Sequence, residues 1–284
     1  MECSDVATVQ PLKPVVKWVG GKRQLLPQLL PLMPDSVTIQ RYFEPFLGGG
    51  AMLFANAPTQ ATVGDLNAEL INLYQVVRDY PEALVETVLA YPNEKNFYLE
   101  IRAVDRVPEA YANLSPVERA ARFLYLNRAG YNGLHRVNSK GQFNVPFGRY
   151  KNLNYDPANI RAVSAYLNSA DITFAHAAYT DTIANAKAGD FVYFDPPYDP
   201  LSKTSSFTSY DSSGFATADQ IALRDTCDAL HDRGVRFMLS NSHTPLIRDL
   251  YADYDLQVVT ARRAVNSDRT KRGAVEEVVV RNYG

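Results

Sequence analysis

The chain predicts an α/β fold: a doubly wound, mainly parallel sheet with an inserted, mostly helical segment. Two patterns carry this. Short apolar runs at 38–44, 61–64, 171–175, 190–194, 235–240 and 255–260 alternate with helical stretches near 51–57, 179–187, 217–232 and 243–252, as βαβ units require. From about 69 to 156 the alternation stops. Helical stretches at 68–78, 81–90, 94–105 and 116–128 lead into a Gly-, Asn- and Pro-bearing loop region at 130–150. At 284 residues the chain can bury a large core and is near the size at which one core begins to divide. The sequence therefore reads as two units, one from 1–68 with 157–284 and one from 69–156.

The strand at 38–44 runs into Glu44-Pro45-Phe46-Leu47-Gly48-Gly49-Gly50, a Gly-rich turn that opens the helix at 51–57. Such a turn lets a nucleotide-like ligand approach the backbone closely. It is not a dinucleotide fingerprint, because the third glycine of the Gly48-x-Gly50-x-x frame is Leu53. Nor is Gly20-Gly21-Lys22-Arg23 a phosphate loop: Val16 stands where Gly is needed, and Arg23 where Ser or Thr is needed. S-adenosyl-L-methionine, a nucleoside with a sulfonium and no phosphate, fits better than a pyrophosphate. The strand at 61–64 ends at Asp65, placed to accept hydrogen bonds from ribose hydroxyls and, in Asp65-Leu66-Asn67-Ala68-Glu69, to cap the helix that follows.

The apolar run Phe191-Val192-Tyr193-Phe194 reads as a buried strand. It delivers Asp195-Pro196-Pro197-Tyr198 to its carboxyl end, where open α/β sheets place their ligands. Two prolines fix the backbone, so the Asp195 carboxylate, the Pro196 carbonyl and the Tyr198 ring are held in one rigid turn. That turn suits a flat, amine-bearing ring: two acceptors for an exocyclic NH2 and an aromatic face for stacking.

Net charge is only −2, but the charge is unevenly placed. Between Arg119 and Lys151 stand Arg122, Arg128, Arg136, Lys140 and Arg149, with no acid, interleaved by Tyr131, Asn132, Asn138, Phe143, Asn144, Phe147 and Tyr150. Base edges and phosphates are read by such mixtures. A second basic stretch holds Arg262, Arg263, Arg269, Lys271 and Arg272 against Asp268, and reads equally as a solvated face. Cys3 and Cys227 give no disulfide framework. Cys227 and His231 are spaced for half a metal site, but no further ligand lies nearby in sequence, so no metal is expected. With no apolar run of membrane-spanning length and no signal peptide expected, the chain reads as a reduced, cytoplasmic enzyme.

These residues, in this order, resemble the Dam family of DNA adenine-N6 methyltransferases, whose GATC-directed members include restriction-system methylases. The likeness runs from Lys17 to Tyr283 through Lys17-Trp18-Val19-Gly20-Gly21-Lys22, Glu44 to Gly50, Asp65-Leu66-Asn67, the stretch Asn127 to Tyr150, Asp195 to Tyr198 with Pro200-Leu201-Ser202, and Glu276-Glu277-Val278-Val279-Val280. Cofactor motif first, recognition region next and Asp-Pro-Pro-Tyr last is the order of the family's alpha group. The resemblance implies a Rossmann-like methyltransferase sheet, with the last segment, 275–281, pairing as an antiparallel hairpin strand and the 69–156 insert acting as the DNA-recognition domain.

It also implies roles. S-adenosyl-L-methionine is contacted by Trp18, Gly20, Lys22, Glu44, Phe46, Gly48, Asp65, Tyr179 and Asp195, and Asp195, Pro196 and Tyr198 are catalytic. On double-stranded DNA, Arg136 reads a guanine, Leu134 and Pro146 meet a thymine, and Lys17 reaches the other guanine. Tyr131 intercalates beside the flipped base with Asn132 next to it, while Asn138, Asn144, Arg149 and Lys151 hold phosphates. No role is implied for His135, no metal, no membrane and no obligate protein partner; a cognate restriction enzyme is a matter of genome context. Three alternatives stay open: cytosine-N4 methylation, which typically has Ser in place of Asp195; glutamine-directed protein methylation, which typically has Asn there and lacks the basic insert; and a silent DNA-binding protein that keeps the fold.

Overall fold

The computed structural model describes residues 11–200, 215–262 and 274–284. Cys3, Leu201, Ser202 and the second basic stretch from Arg263 to Arg272 lie outside them. The elements in chain order are α1 (Leu26–Leu29), β1 (Tyr42–Glu44), α2 (Ala51–Asn56), β2 (Gln60–Asp65), α3 (Ala68–Asp79), α4 (Pro81–Ala90), α5 (Lys95–Ala103), α6 (Pro108–Ala112), α7 (Pro116–Ala129), α8 (Pro157–Ser169), β3 (Asp171–His176), α9 (Tyr179–Thr182), β4 (Phe191–Phe194), α10 (Thr217–Asp232), β5 (Arg236–Ser242), α11 (Pro245–Leu250), β6 (Asp255–Arg262) and β7 (Ala274–Arg281).

The strands form one sheet in the order β3-β2-β1-β4-β5-β7-β6. Pairings from β3 to β5 are parallel, and β7 runs antiparallel between β5 and β6, so the mainly parallel, Rossmann-like sheet with a hairpin strand is what the chain forms. Alternate residues of the central strands enter two different cores. Tyr42, Phe191, Tyr193, Met238 and Val279 join residues of α2, α3, α4, α7 and α8. Phe43, Val192, Phe194, Phe237, Leu239, Val278 and Val280 join Leu223, Cys227 and Leu230 of α10 and Ile247 of α11. A strand with both faces apolar must be covered on both, which is why these segments read as continuous runs rather than alternating ones. Each such fully buried Val, Leu or Phe stabilises the fold by roughly 1.5–3 kcal/mol.

Several boundaries differ from the sequence reading, each for a local reason. β1 starts at Tyr42, not at 38, because residues Ser36–Thr38 form a 3-10 turn. Asp35 accepts the Val37 N–H (3.2 Å), and the Thr38 hydroxyl donates to the Asp35 carbonyl (2.7 Å), local bonds that compete with a strand ladder. α9 ends at Thr182 instead of continuing to 187; beyond it the carbonyls of Asn185 and Ala186 accept from Arg41 and Arg233 rather than from a helical turn. α8 was not anticipated, although its signals are local: Asp156 caps Asn159 (3.2 Å), Pro157 starts the helix, and Ile160, Val163 and Leu167 face the core. The cap of α3 is Asn67, whose Oδ1 accepts from the N–H groups of Glu69 and Leu70, both at 3.1 Å. Asp65 instead accepts the Asn67 N–H (2.8 Å).

Candidate active site

β1 and β4 are adjacent, and α2 leaves β1 on the opposite face of the sheet from α10, which follows β4. Their carboxyl ends therefore flank the crevice where strand order reverses, the usual ligand position of such sheets. Glu44 ends β1, and Asp195 follows β4 directly.

The Asp195 turn is fixed by groups from distant elements. Gln220 donates to the Pro197 carbonyl (3.0 Å), Asn241 holds both Gln220 (3.0 Å) and the Asp199 N–H (3.1 Å), and the Ser242 hydroxyl donates to the Asp199 carbonyl (2.7 Å). The Tyr198 hydroxyl donates to Glu277 of β7 (2.7 Å). Sequence reasoning gave Gln220, Asn241 and Glu277 no role. Glu277 stands in the Glu276-Glu277-Val278 motif, an acid inside a Val-rich strand, and register places it opposite Ser242.

An amine already occupies this turn. Lys22 is buried, 4% exposed, and its Nζ lies 2.7 Å from Asp195 Oδ1 and 2.6 Å from the Gly20 carbonyl. The same ammonium sits 4.6 Å from the centroid of the Tyr198 ring, a cation–π geometry. The carboxylate and aromatic face of the turn thus converge on one nitrogen, and the carbonyl that meets it is that of Gly20.

Burial raises the Asp195 carboxyl above its usual range, opposed by Lys22. Glu44 is pushed up to about 8, chiefly by burial, with the Asp195 charge adding to it and its bonds to the Tyr42 hydroxyl (2.8 Å) and the Leu53 N–H opposing. The sign of its pH effect follows. Between the ordinary carboxylate value of 4.5 and about 8, the unfolded chain releases this proton while the folded chain keeps it, so stability falls as pH rises through that window and levels above it. Thermal unfolding midpoints of Glu44→Gln should gain on the wild type as pH rises from 5 to about 8 and then run parallel. A constant difference would mean that Glu44 is already ionised at pH 5.

The Gly-rich turn is braced on both sides. Gly48 has φ +46° and donates its N–H to Asp65 Oδ2 (2.9 Å). A Cβ at Gly48 would stand 2.7 Å from the Trp18 ring, so both backbone conformation and space require glycine there. The Tyr74 hydroxyl holds the Gly49 carbonyl (2.8 Å). Phe46 stacks on Tyr179, centroids 5.4 Å apart and planes at 24°. Trp18, Gly20, Lys22, Glu44, Phe46, Gly48, Asp65, Tyr179 and Asp195 therefore all belong to this end of the sheet or to the segments packed on it.

The basic stretch is less basic than its sequence implies. Arg119 pairs with Glu69, Arg122 with Asp105 (2.9 Å), and Arg128 donates to the Val15 carbonyl (2.5 Å). Beyond them, Asn127 accepts the Lys17 N–H (2.9 Å) and donates to the carbonyls of Lys17 (2.8 Å) and Gly133 (2.9 Å), tying the N-terminal segment to the loop after α7. There Lys17 Nζ lies 4.8 Å over the Tyr150 ring, and the Tyr150 hydroxyl accepts the Asn132 N–H (2.9 Å). Burial, with the charge of Arg128, lowers the Lys17 pKa. Tyr131 is 52% exposed, and its N–H donates to the Pro146 carbonyl (2.9 Å). Leu134 packs against the core, while Arg149 and Lys151 are exposed. Arg136 Nε donates to Asn144 Oδ1 (2.6 Å). Asn138 is engaged in a tight turn, accepting the N–H groups of Lys140 and Gln142, both at 3.0 Å.

Among the described residues no group of acidic, His or Cys side chains could hold a metal ion, and no helix is long and apolar enough to cross a membrane. Cys227 is fully buried in α10.

Residues 18–265 match the family described as D12 class N6 adenine-specific DNA methyltransferase. A type II methyltransferase of Lactococcus lactis, M1.LlaDCHI, is 47% identical over 276 residues, 96% of each chain. The type II methyltransferase M.MjaIII of Methanocaldococcus jannaschii is 38% identical over 291 residues, covering 96% of this chain and 99% of its own. The DNA adenine methylase of Escherichia coli K12 is 35% identical over 268 residues, 93% of each. The intact Asp195 turn and Gly-rich crevice agree with these likenesses, and the chain belongs to the D12 class of N6 adenine-specific DNA methyltransferases.

Proposed function

We propose that this methyltransferase acts in the cytoplasm on double-stranded DNA, flips the adenine of GATC and transfers the methyl group of S-adenosyl-L-methionine directly to N6. The observation that carries this reading is the buried Lys22 ammonium, gripped by Asp195 and stacked over Tyr198. A site that holds an amine in this way has the complementarity an exocyclic NH2 on a flat ring requires. In this reading Lys22 yields its place to the incoming base.

The crevice fits the cofactor by its charge. Asp65 and Asp195 bring carboxylates to it with one lysine between Gly20 and Asp195, the wrong sign for a polyphosphate and the right one for a sulfonium and ribose hydroxyls. When bound, the cofactor supplies an electrophilic methyl group. The chain's own residues do the rest. Tyr198 stacks on the base, extruded at a cost of a few kcal/mol. Asp195 and the Pro196 carbonyl accept the two N6–H bonds, drawing the lone pair out of the ring and supporting the positive charge that develops on N6. The fixed turn then aligns N6 for in-line displacement, a matter of positioning. The N6–methyl bond would form as the methyl–sulfur bond breaks, the sulfur keeping the electron pair as a neutral thioether, and N6 would lose one proton to solvent.

We assign 69–156 to target recognition. Arg136, Leu134 and Pro146 read one half-site and Lys17 the other, Tyr131 and Asn132 act beside the flipped base, and Asn138, Asn144, Arg149 and Lys151 hold phosphates. Asn144 holds Arg136 at two points, its side-chain Oδ1 accepting from Nε (2.6 Å) and its backbone carbonyl from one terminal nitrogen (3.3 Å), which leaves the remaining guanidinium N–H groups to meet guanine.

The test is transfer of label from methyl-labelled S-adenosyl-L-methionine to two duplexes, one with a single GATC and one with GTAC in its place. Label only on the first, recovered as N6-methyladenine, is the expected result. Label on both overturns the recognition assignment, and label on neither overturns the reaction.

A further inference from the structure

His135 lies in the target loop between Leu134 and Arg136, yet its ring points at the cofactor turn. It stacks on Trp18, with centroids 5.8 Å apart and planes at 22°, and meets Phe123 at 5.1 Å and Phe143 at 5.7 Å. Trp18 in turn lies against Gly48 and Gly49: Cβ atoms built there would stand 2.7 and 3.1 Å from its side chain. The imidazole edge faces the other brace of the same turn. Asn67 Nδ2 lies 3.5 Å from His135 Nδ1. Because Asn67 Oδ1 is committed to the Glu69 and Leu70 N–H groups, it is the amide NH2 that faces the ring, and Nδ1 is the acceptor. The Asn67 N–H is bonded to Asp65, and Asp65 to the Gly48 N–H. Burial and the nearby charge of Arg122, opposed by Glu69, push the His135 pKa down to about 4, so at neutral pH the ring is an uncharged flat spacer.

One side chain of the loop thus touches both supports of the Gly-rich turn, through Trp18 on one side and Asn67–Asp65 on the other. We propose that His135 is a positioning residue that couples target reading to cofactor binding, its ring passing movement of the loop that carries Leu134 and Arg136, when DNA engages it, to Trp18 and so to the Gly48–Gly49 turn. This rests on the functional reading above. Coupling of this kind is reciprocal: whatever factor DNA adds to cofactor affinity, cofactor adds to DNA affinity.

The experiment titrates S-adenosylhomocysteine, the unreactive product, into the full-length protein by calorimetry, alone and with saturating GATC duplex. Trp18 is the single tryptophan of the chain, so its emission reports the stack directly when duplex is added without cofactor. In the wild type the duplex should tighten product binding by about fivefold or more and change Trp18 emission. His135→Leu, which fills the volume but removes the flat ring, should bring that ratio to about one and abolish the emission change, with affinity in the absence of DNA little altered. His135→Phe, which restores a ring, should recover most of both. An undiminished ratio in His135→Leu, or a wild-type ratio of one, overturns the proposal. A wild type that binds no product even without DNA overturns the cofactor assignment and this proposal with it, and the DNA-free titration tells that failure apart.

Discussion

Asp195→Ala should abolish methyl transfer while leaving DNA binding in place. The carboxylate meets the Lys22 amine directly, Oδ1 to Nζ 2.7 Å. Removing a single group that stabilises developing charge lowers kcat by about 10²–10³, and here N6 loses one of its two acceptors as well. Duplex affinity should stay within about threefold, since the proposed anchoring contacts lie on the 69–156 unit and at Lys17, away from Asp195. Stability must be separated from catalysis. Truncating Asp195 strands a lysine that is 4% exposed, and breaking a buried pair in this way costs about 3–5 kcal/mol. The double variant Asp195→Ala with Lys22→Met should therefore recover thermal stability and remain inactive. Transfer surviving in either protein would refute the mechanism.

Arg136→Ala should loosen specificity more than it weakens binding. A bidentate arginine–guanine contact is worth roughly 1–3 kcal/mol of discrimination, so the preference for GATC over a duplex altered at that guanine should fall by about 5–150-fold. The slope of log affinity against log salt should hold, because that slope counts neutralised phosphates. Asn144→Ala should produce a smaller loss of the same kind, since its Oδ1 fixes the guanidinium (2.6 Å). Equal loss on every sequence, with a shallower salt slope, would make Arg136 a phosphate contact instead.

The two predictions draw on different levels of legibility. The Asp195 turn was readable because its chemistry is contiguous: strand, carboxylate, two prolines and a tyrosine occupy consecutive positions, and proline fixes the backbone wherever it stands. The Gly48 turn was readable for the same reason. The helix at Pro157–Ser169 was equally local in its signals but fell at the edge of the long helical insert, where strand–helix alternation gave no guide.

The basic stretch shows the opposite case. Its sequence contains cations and no acid, but Arg119 and Arg122 pair with Glu69 and Asp105. What faces outward is set by partners that only the packing of α3, α5 and α7 brings near. His135 likewise carries no sequence signal, because its partners Trp18, Phe123 and Asn67 come from three separate segments.

By itself the sequence determined the α/β class and the two loops that flank the crevice. Backbone stiffness, glycine permissiveness and apolar periodicity act over a few residues and can be read in order. Only the tertiary structure decided that Lys22 pairs with Asp195, that Glu277 and Gln220 lock the turn, and that burial pushes Glu44 up to about 8. Those outcomes depend on burial and on bonds between residues far apart along the chain, such as Tyr198 and Glu277, 79 positions apart. Desolvation and long-range pairing do not exist until the chain is folded.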